Sequence, residues 1–288
     1  MLAWRITRHV LAIVAIVVLG GFLSAILVRF APGFDVAEEQ LDPHLSAESL
    51  QALHQVRLQE HDIFSFYFHS MQRAVHGDLG TSISLGQPVT TLLRERGPLT
   101  LKLVGTGLLF SWVLAMGMAL SAAWLRVSAY DALTTLLSGT FLCIPAAVLA
   151  LLSVIWNVPG SLAIGLIVFP RVYRYARNLL AKAYGLPHII TARAKGLGEL
   201  RILFWHVVPV VGAQLLAVAG VSVSMAVGAA IPVEALCGLP GVGKLAWQAA
   251  LARDLPLLMN ITILVTLVTL LANSSADVIG STLRAQGA

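Results

Sequence analysis

Charged side chains are scarce in this chain of 288 residues. Only 19 residues are Lys or Arg and 14 are Asp or Glu, so that 11% of the chain is charged while 58% is hydrophobic. Soluble proteins carry about 25% charged residues. Several uncharged runs approach the roughly 20 residues that a helix needs to cross a bilayer. The composition therefore predicts an all-α polytopic membrane protein, and the absence of polar–apolar alternation disfavours a membrane β-barrel.

Cysteine is also scarce, since the chain contains only Cys143 and Cys237, far apart in the sequence. This spacing predicts neither a disulfide framework nor a cysteine-based zinc site, and we interpret both residues as small packing residues. The histidines His61, His69 and His76 have no carboxylate pattern between them that would indicate a metal site. No Ser/His/Asp or Cys/His arrangement is spaced for nucleophilic catalysis, so we predict that the chain is not an enzyme.

Six apolar segments have the length of a membrane span. They cover approximately residues 9–28, 101–124, 132–156, 160–179, 208–232 and 256–279. The first follows basic residues as in a signal peptide, but its apolar run is long and no A-x-A site follows, so we interpret it as an uncleaved span. Residues 132–170 carry no charge, and Asn157-Val158-Pro159-Gly160 predicts a tight hairpin turn within them. A single tilted helix with a re-entrant piece is the alternative.

Lys and Arg in the loops predict the orientation of the chain. Residues 171–206 contain seven basic residues against one acidic residue, whereas residues 29–97 contain five basic and nine acidic residues. The N-terminal segment is basic as well, with Arg5 and Arg8. We therefore expect both termini and the 171–206 loop in the cytoplasm and the 29–97 segment outside. Within that outer segment, residues 46–59 and 61–75 are predicted to form helices of a small cap.

The segment Thr191–Pro209 is a polar, basic island in this apolar chain, because it holds Arg193, Lys195, Glu199 and Arg201. Each such charge costs roughly 2.5–3.5 kcal/mol at the centre of a membrane helix. The island therefore predicts a loop outside the membrane that contacts a partner. A short helix in it would present small residues on one side, including Ala192, Ala194 and Gly196, with the charges as a rim.

This segment resembles the cytoplasmic loop of binding-protein-dependent ABC transporter permeases of the dipeptide/oligopeptide type. That loop reads E-A-A, three residues, Gly, nine residues, I-x-L-P in the wider superfamily. Ala192 takes the second alanine position, Gly196 the glycine, and Pro209 the final proline, while Ile190 replaces the glutamate. The peptide-type form A-R-A-K-G is present without a mismatch at 192–196.

Further motifs of the family lie in register along the chain. They are Pro32-Gly33-Phe34-Asp35, Gly77-Asp78-Leu79-Gly80-Thr81-Ser82, Thr100-Leu101, Asp131, Ile144-Pro145, Arg174 with Arg177, Glu234 with Pro240-Gly241-Val242-Gly243, Arg253-Asp254-Leu255-Pro256, and Asn273 with Asp277. Two features depart from the family pattern: the loop between the third and fourth spans is short, and the usual C-terminal D-P-R ending is absent. These departures leave the substrate class and the docking of a receptor open.

The resemblance implies a type I ABC importer permease fold with six transmembrane helices in the bacterial inner membrane. It divides the chain into an N-terminal transmembrane helix (1–28), an extracytoplasmic helical cap loop (29–98), a permease core (99–280) and a cytoplasmic tail (281–288). It implies as partners a second permease, identical or homologous, two cytoplasmic ABC ATPases and an extracytoplasmic solute-binding protein. It implies no cofactor on this chain, because ATP and magnesium would bind to the ATPase subunits.

The coupling segment, residues 185–209, would transmit motion from an ATPase to the spans. The resemblance assigns this contact to Ala192, Arg193, Ala194, Lys195, Gly196, Leu197 and Glu199. Arg171, Arg174 and Arg177 recur every three residues and are candidates for a pathway or inner vestibule, with anchoring at the membrane boundary as the alternative. Asp78, Glu234 and Asp254 are candidates for an outer gate or a receptor contact, although Glu234 also suits a structural role at a helix end.

Residues 238–244 read G-x-x-x-x-G-K, which is most of a phosphate-binding loop. Leu245 stands where the Ser or Thr that binds magnesium would be, and no strand is predicted before the loop. We therefore predict no nucleotide site here.

Two other functional classes remain as alternatives. An ion-coupled secondary transporter would show inverted repeats and midplane charges in broken helices, and a membrane enzyme or scaffold would lack the coupling motif. An ABC permease with a different cargo or direction stays open, since the sequence does not distinguish a peptide from a metal chelate, a glycan fragment or another solute.

Overall fold

The computed structural model describes residues 63–286, together with residues 11, 15–23 and 26 near the N-terminus. The regular structure of these residues is helical, apart from one isolated β-bridge between Thr81 and Pro88. Residues 15–23 form a helix, so that part of the predicted first span is helical. The predicted helix at 46–59 lies outside the described residues.

The helices of residues 63–286 follow one another with short connections. They are α1 (Ile63–Val75), α2 (Val89–Leu125), α3 (Ser128–Cys143), α4 (Ala146–Ile155), α5 (Gly160–Tyr184), α6 (Pro187–Ala194), α7 (Glu199–Ile202), α8 (Val208–Leu236), α9 (Val242–Leu251) and α10 (Leu255–Gln286). A π-helical turn at Leu203–Val207 joins α7 to α8, so that Glu199–Leu236 is one continuous helix of 38 residues. The predicted tail at 281–288 begins inside α10, which runs to Gln286.

Three helices of the described chain are long and apolar enough to cross a membrane. They are Val89–Leu125, Glu199–Leu236 and Leu255–Thr282, and a fourth span is added if α3 and α4 count as one. The all-helical membrane architecture is thus confirmed, while the number of six spans stays a prediction. Helix α5 is not among the three because Arg171, Arg174 and Arg177 lie in its middle, although Ile164 and Phe169 of the same helix are fully buried.

The predicted span at 132–156 is not one straight helix, because the structure divides it into α3 and α4 with an angle of 95° between them. Ile144 is extended (φ −79°, ψ 123°), and Pro145 then opens α4. A proline has no N–H for the helical ladder and disfavours helical geometry in the residue before it, so this helix ends at Cys143. The turn predicted at 157–160 is present, since α4 ends at Ile155, Asn157 has a φ of 51°, and α5 begins at Gly160.

The chain divides into two compact units. One comprises Met1–Gly97 with Leu245–Leu267, and the other comprises Pro98–Lys244 with Val268–Ala288. In the first unit, Tyr67 of α1 donates a hydrogen bond to the Val18 carbonyl (2.6 Å) and packs edge-to-face on Phe22. Burial raises the pKa of the Tyr67 hydroxyl.

The second unit is built around α5 and α8, which pack extensively on each other. Helix α5 approaches α2 through two glycines: a Cβ on Gly107 would lie 2.8 Å from the Ser161 carbonyl oxygen, and one on Gly165 would lie 2.9 Å from that of Gly107. Helix α8 approaches α10 at Gly220, where a Cβ would lie 2.9 Å from the Cβ of Ala276. Small residues let membrane helices pack this closely.

Candidate functional site

The conformation of Gly196 determines the geometry of the coupling segment. Helix α6 ends at Ala194, and Gly196 has a φ of 77°, a value that residues with a side chain rarely adopt. The Leu197 N–H donates to the Ala192 carbonyl (3.3 Å), and the Gly196 N–H donates to the Arg193 carbonyl (2.9 Å). This pair of bonds is the Schellman motif, which satisfies carbonyls at a helix end. The glycine of the sequence motif is therefore required by the chain reversal between α6 and α7.

The small residues of this segment lie on different sides, although the sequence pattern predicted that they would share one side. Ala192 is buried together with Ile189, whereas Ala194 and Gly196 are exposed. The reason is the helical period of 3.6 residues, which places residues two apart on nearly opposite sides. A partner could therefore contact Ala194, Lys195 and Gly196 directly, while Ala192 anchors α6 to the core of the second unit.

The charges of the segment are connected by Glu199. Arg193 donates to Glu199 from Nε (2.8 Å) and from Nη2 (3.4 Å). Arg126, in the connection between α2 and α3, lies 3.7 Å from the same carboxylate and stacks on the Tyr184 ring at 4.4 Å. Sequence reasoning missed Arg126, because nothing in its neighbourhood distinguishes it from an ordinary membrane-boundary arginine. Lys195 has no ion-pair partner among residues 63–286.

The π-helical turn precedes Pro209, the last residue of the motif. A proline removes one backbone hydrogen bond and clashes with the carbonyl four residues before it, here that of Trp205. The wider turn over Leu203–Val207 accommodates both effects while the helix continues. Phe204 and Trp205 are largely exposed on this turn.

The three arginines of α5 have different surroundings. Arg177 forms a two-point ion pair with Asp131 of α3. Its Nε donates to Oδ1 (2.6 Å), and its Nη2 donates to Oδ2. Arg171 and Arg174 are exposed and line a cavity of about 430 Å³. The structure thus separates one structural arginine from two that face open space.

Glu234 lies at the end of α8 and is completely buried. Its Oε2 accepts from the N–H groups of Gly243 (2.6 Å) and Lys244 (3.2 Å), and its Oε1 accepts from the Thr100 hydroxyl (2.7 Å). The Thr100 hydroxyl oxygen in turn accepts from the Val242 N–H (2.8 Å). Three separate sequence motifs therefore meet at one carboxylate.

The glycines of the P-G-x-G motif make this arrangement sterically feasible. A Cβ on Gly241 would lie 2.2 Å from Oε2 of Glu234, and one on Gly243 would lie 2.8 Å from the backbone of Ile231. The carboxylate occupies the N-terminus of α9, where an anion is electrostatically favoured. Residues 238–244 are the segment that partly matches a phosphate-binding loop. Within it, the N–H groups of Gly243 and Lys244 are already bound to the Glu234 side chain.

Asp254 organises the first unit in a similar way. It is buried, and its Oδ2 accepts from the hydroxyl groups of Ser82 (2.5 Å) and Ser84 (2.8 Å) and from the Ser84 N–H (3.0 Å). Its Oδ1 accepts from the Leu257 N–H (3.1 Å) at the start of α10. The G-D-L-G-T-S and R-D-L-P motifs are joined by these bonds.

The candidates for an outer gate or receptor contact therefore differ. The carboxylates of Glu234 and Asp254 are buried among their own donors, whereas Asp78 is exposed and accepts from the Gly80 N–H (2.9 Å). Only Asp78 presents its side chain at the surface. Among residues 63–286, no group of three or more His, Cys, Asp or Glu side chains is placed to hold a metal ion.

Comparison with known proteins gives a consistent result. Residues 107–284 match the family described as the inner membrane component of binding-protein-dependent transport systems. The matched region contains the coupling segment, the three arginines of α5, and Glu234 with Gly243 and Lys244, whereas Thr100 lies before it.

Individual relatives are similar over most of their length. A putative peptide transport system permease protein of Brucella abortus is 28% identical over 71% of this chain and 73% of its own length. The oligopeptide transport system permease protein AppB of Bacillus subtilis is 26% identical over 96% of this chain and 97% of its own length. The oligopeptide transport system permease protein OppB of Salmonella typhimurium is 26% identical over 84% and 85%, respectively.

Proposed function

The chain belongs to the family of binding-protein-dependent transport system inner membrane components, and we propose that it forms one half of a solute pathway whose coupling segment receives the motion of an ATPase. The chain is a permease subunit of an ABC importer. The second half of the pathway would come from an identical or homologous permease. Two cytoplasmic ATPases would supply the energy, and an extracytoplasmic binding protein would deliver the solute.

The exposed turn after α6 is the observation that carries the coupling proposal. Ala194, Lys195 and Gly196 project no bulky apolar side chain, so a groove on a partner can approach their backbone closely. Behind this surface, Ala192 is buried in the core that contains α5 and α8. A displacement of the turn by a partner would therefore move packed helices rather than a free loop.

The relatives and the loop charges support the proposed cargo and direction. The relatives are named as permeases for peptides or oligopeptides, which supports a peptide-like solute for this chain. The loop charges support cytoplasmic termini and a cytoplasmic coupling segment in the bacterial inner membrane. In this orientation Asp78 faces outward as a candidate contact for the binding protein. ATP binding and hydrolysis would shift the permease pair between two states that bind the ATPases differently.

The substitution Gly196→Asp tests the coupling contact. It places a charged side chain at the centre of the exposed turn, where a Cβ would meet no atom within 4 Å. We expect one of two results for the folded variant. Either the ATPases no longer co-purify with it, or they co-purify but the solute no longer stimulates ATP hydrolysis. Both properties are measured on the complex purified from its native host.

The matched control is Gly86→Asp. Gly86 also has a positive φ, of 63°, and also has no atom within 4 Å of an added Cβ. Because it lies in the predicted outer segment, this variant should retain the ATPases and their basal hydrolysis. Unchanged hydrolysis and transport in Gly196→Asp would refute the coupling assignment.

A further inference from the structure

Arg171 and Arg174 have no carboxylate partner among residues 63–286, although the third arginine of their helix does. Arg177 and Asp131 hold each other in a two-point ion pair. An arginine side chain is always charged and presents planar pairs of donors suited to a carboxylate. The described part of the chain thus contains two guanidinium groups that present these donors to open space.

Two adjacent cavities give these groups a shaped surrounding. The cavity of about 430 Å³ is lined by Arg171, Arg174, Tyr175, Asn178, Leu142 and Met225. A second cavity of about 220 Å³ shares Arg171, Tyr175 and Met225 with the first and adds Ser222. Together they form the arginine groove, defined here by Arg171, Arg174, Tyr175, Asn178 and Met225. The groove combines two cations with apolar and aromatic walls.

Arg171 is the first residue of the 171–206 segment, which the loop charges place on the cytoplasmic side. In the proposed orientation the arginine groove therefore lies at the inner end of the pathway. Both Arg171 and Arg174 are exposed, and a charged side chain at a membrane boundary faces water, protein or lipid headgroups rather than hydrocarbon.

We propose that the arginine groove is a solute-binding site that takes the C-terminal carboxylate of a peptide-like cargo. This inference rests on the proposed function, from which it takes the class of cargo. Arg171 and Arg174 would bind the carboxylate, while Tyr175 and Met225 would contact the last side chain of the peptide. Because both arginines are exposed, water weakens their interaction with the carboxylate, so that the solute can leave.

Uptake of two matched peptide sets by the complete importer in its native host tests this site. One set is an isotope-labelled mixture of tri- to pentapeptides with free C-termini, and the other contains the same sequences as C-terminal amides. In the double variant Arg171→Gln/Arg174→Gln, we expect uptake of the free peptides to fall about tenfold relative to wild type, the size of one charge-assisted hydrogen bond. Uptake of the amides should not fall. Both sets use the same unaltered binding protein, so a change in their ratio reports on the permease.

Two variants of the same helix serve as controls. Lys182→Gln removes an exposed cation that lines neither cavity, and it should leave uptake of both sets unchanged. Arg177→Gln breaks the Asp131 pair and should lower both sets by the same factor, because it disturbs packing rather than carboxylate binding. Arg171→Lys, which keeps the charge but loses the planar donors, should give an intermediate ratio.

The outcomes separate failure of this inference from failure of the proposed cargo. If wild type takes up both sets and the double variant keeps the wild-type ratio, the arginine groove does not bind the carboxylate. If the double variant loses both sets equally, the two arginines serve packing or bind another anion such as a lipid phosphate, which overturns the inference. If wild type takes up neither set, the peptide-like cargo itself is wrong and the inference falls with it.

Discussion

The two ends of the continuous helix Glu199–Leu236 treat charge in opposite ways. At its beginning, Glu199 and Arg193 pair with each other at the surface, and more than a third of each side chain is exposed. At its end, Glu234 is completely buried and accepts three hydrogen bonds from Gly243, Lys244 and Thr100. The buried charge holds loops of its own unit together, whereas the exposed charges leave donors and a small-residue turn available to a partner.

This difference has a simple energetic origin. An ionised carboxylate removed from water is costly unless hydrogen bonds replace its hydration. Glu234 therefore requires donors from the same chain, and it obtains them from the N-terminus of α9 and from α2. The pair at the beginning of the helix keeps its hydration and contributes little to stability. The buried charge of Glu234 thus has a structural role and receives its hydrogen bonds from its own chain, whereas the exposed charges of Arg193 and Glu199 remain accessible to a partner.

Replacing Glu234 should give the largest effect on stability. In Glu234→Ala, the buried N–H groups of Gly243 and Lys244 lose their acceptor, and we expect a loss of about 3 kcal/mol in the free energy of unfolding. Denaturation of the purified protein in detergent measures this loss. Asp277→Ala is the control, because Asp277 is an exposed acid of α10 with no ion-pair partner among residues 63–286, and its loss should matter little. Equal stability of both variants would show that the buried Glu234 contributes no more to stability than an exposed acid does.

Gly196→Ala should give an intermediate effect. A left-handed backbone with a Cβ costs about 1–2 kcal/mol, and the strain would distort the turn after α6. We expect a modest loss of thermal stability together with reduced solute-stimulated ATP hydrolysis. Gly198→Ala is the matched control, since Gly198 lies two residues away with a φ of −64° and no atom within 4 Å of an added Cβ. A similar loss of hydrolysis in both variants would show that the backbone conformation of Gly196 is not what matters.

Arg193→Ala should give the smallest change in stability. The Arg193–Glu199 pair is at the surface, so its removal should cost less than about 1 kcal/mol. Solute-stimulated hydrolysis is expected to fall more than stability does, because the proposed contact surface for the ATPase loses one of its exposed charges. Parallel measurement of the unfolding midpoint and of hydrolysis compares the two effects. A large loss of stability would place this end of the helix in the same class as the Glu234 site.

Much of the architecture was predictable from local patterns. Apolar runs predicted the membrane helices, and Asn157-Val158-Pro159-Gly160 predicted the turn before α5. The break at Pro145 was accessible in principle, because proline restricts the residue before it, but the uninterrupted apolar character of residues 132–156 outweighed that signal. The side on which Ala192 lies was also predictable from helical period, yet the sequence interpretation grouped it with Ala194.

The partners of the charged residues could not be predicted in the same way. Motifs at Thr100, Glu234 and Pro240–Gly243 occur as three separate signals, and nothing local says that one carboxylate joins them. The same holds for Arg177 with Asp131 and for Arg126 with Glu199, whose partners come from other helices. Arg171, Arg174 and Arg177 look equivalent in the sequence, since their spacing is regular.

The sequence by itself determined the class of protein, its all-helical membrane architecture and the position of the A-R-A-K-G motif. Composition, periodicity and special backbone positions act over a few neighbouring residues, which is why they can be read locally. The tertiary structure decided which charges are structural and which are free. That decision depends on which distant donors reach a carboxylate and on whether a side chain is buried, and both follow only from the packing of the helices. Glu234 and Arg177 were thereby assigned to the framework, and Lys195, Arg171 and Arg174 to surfaces that can meet something else.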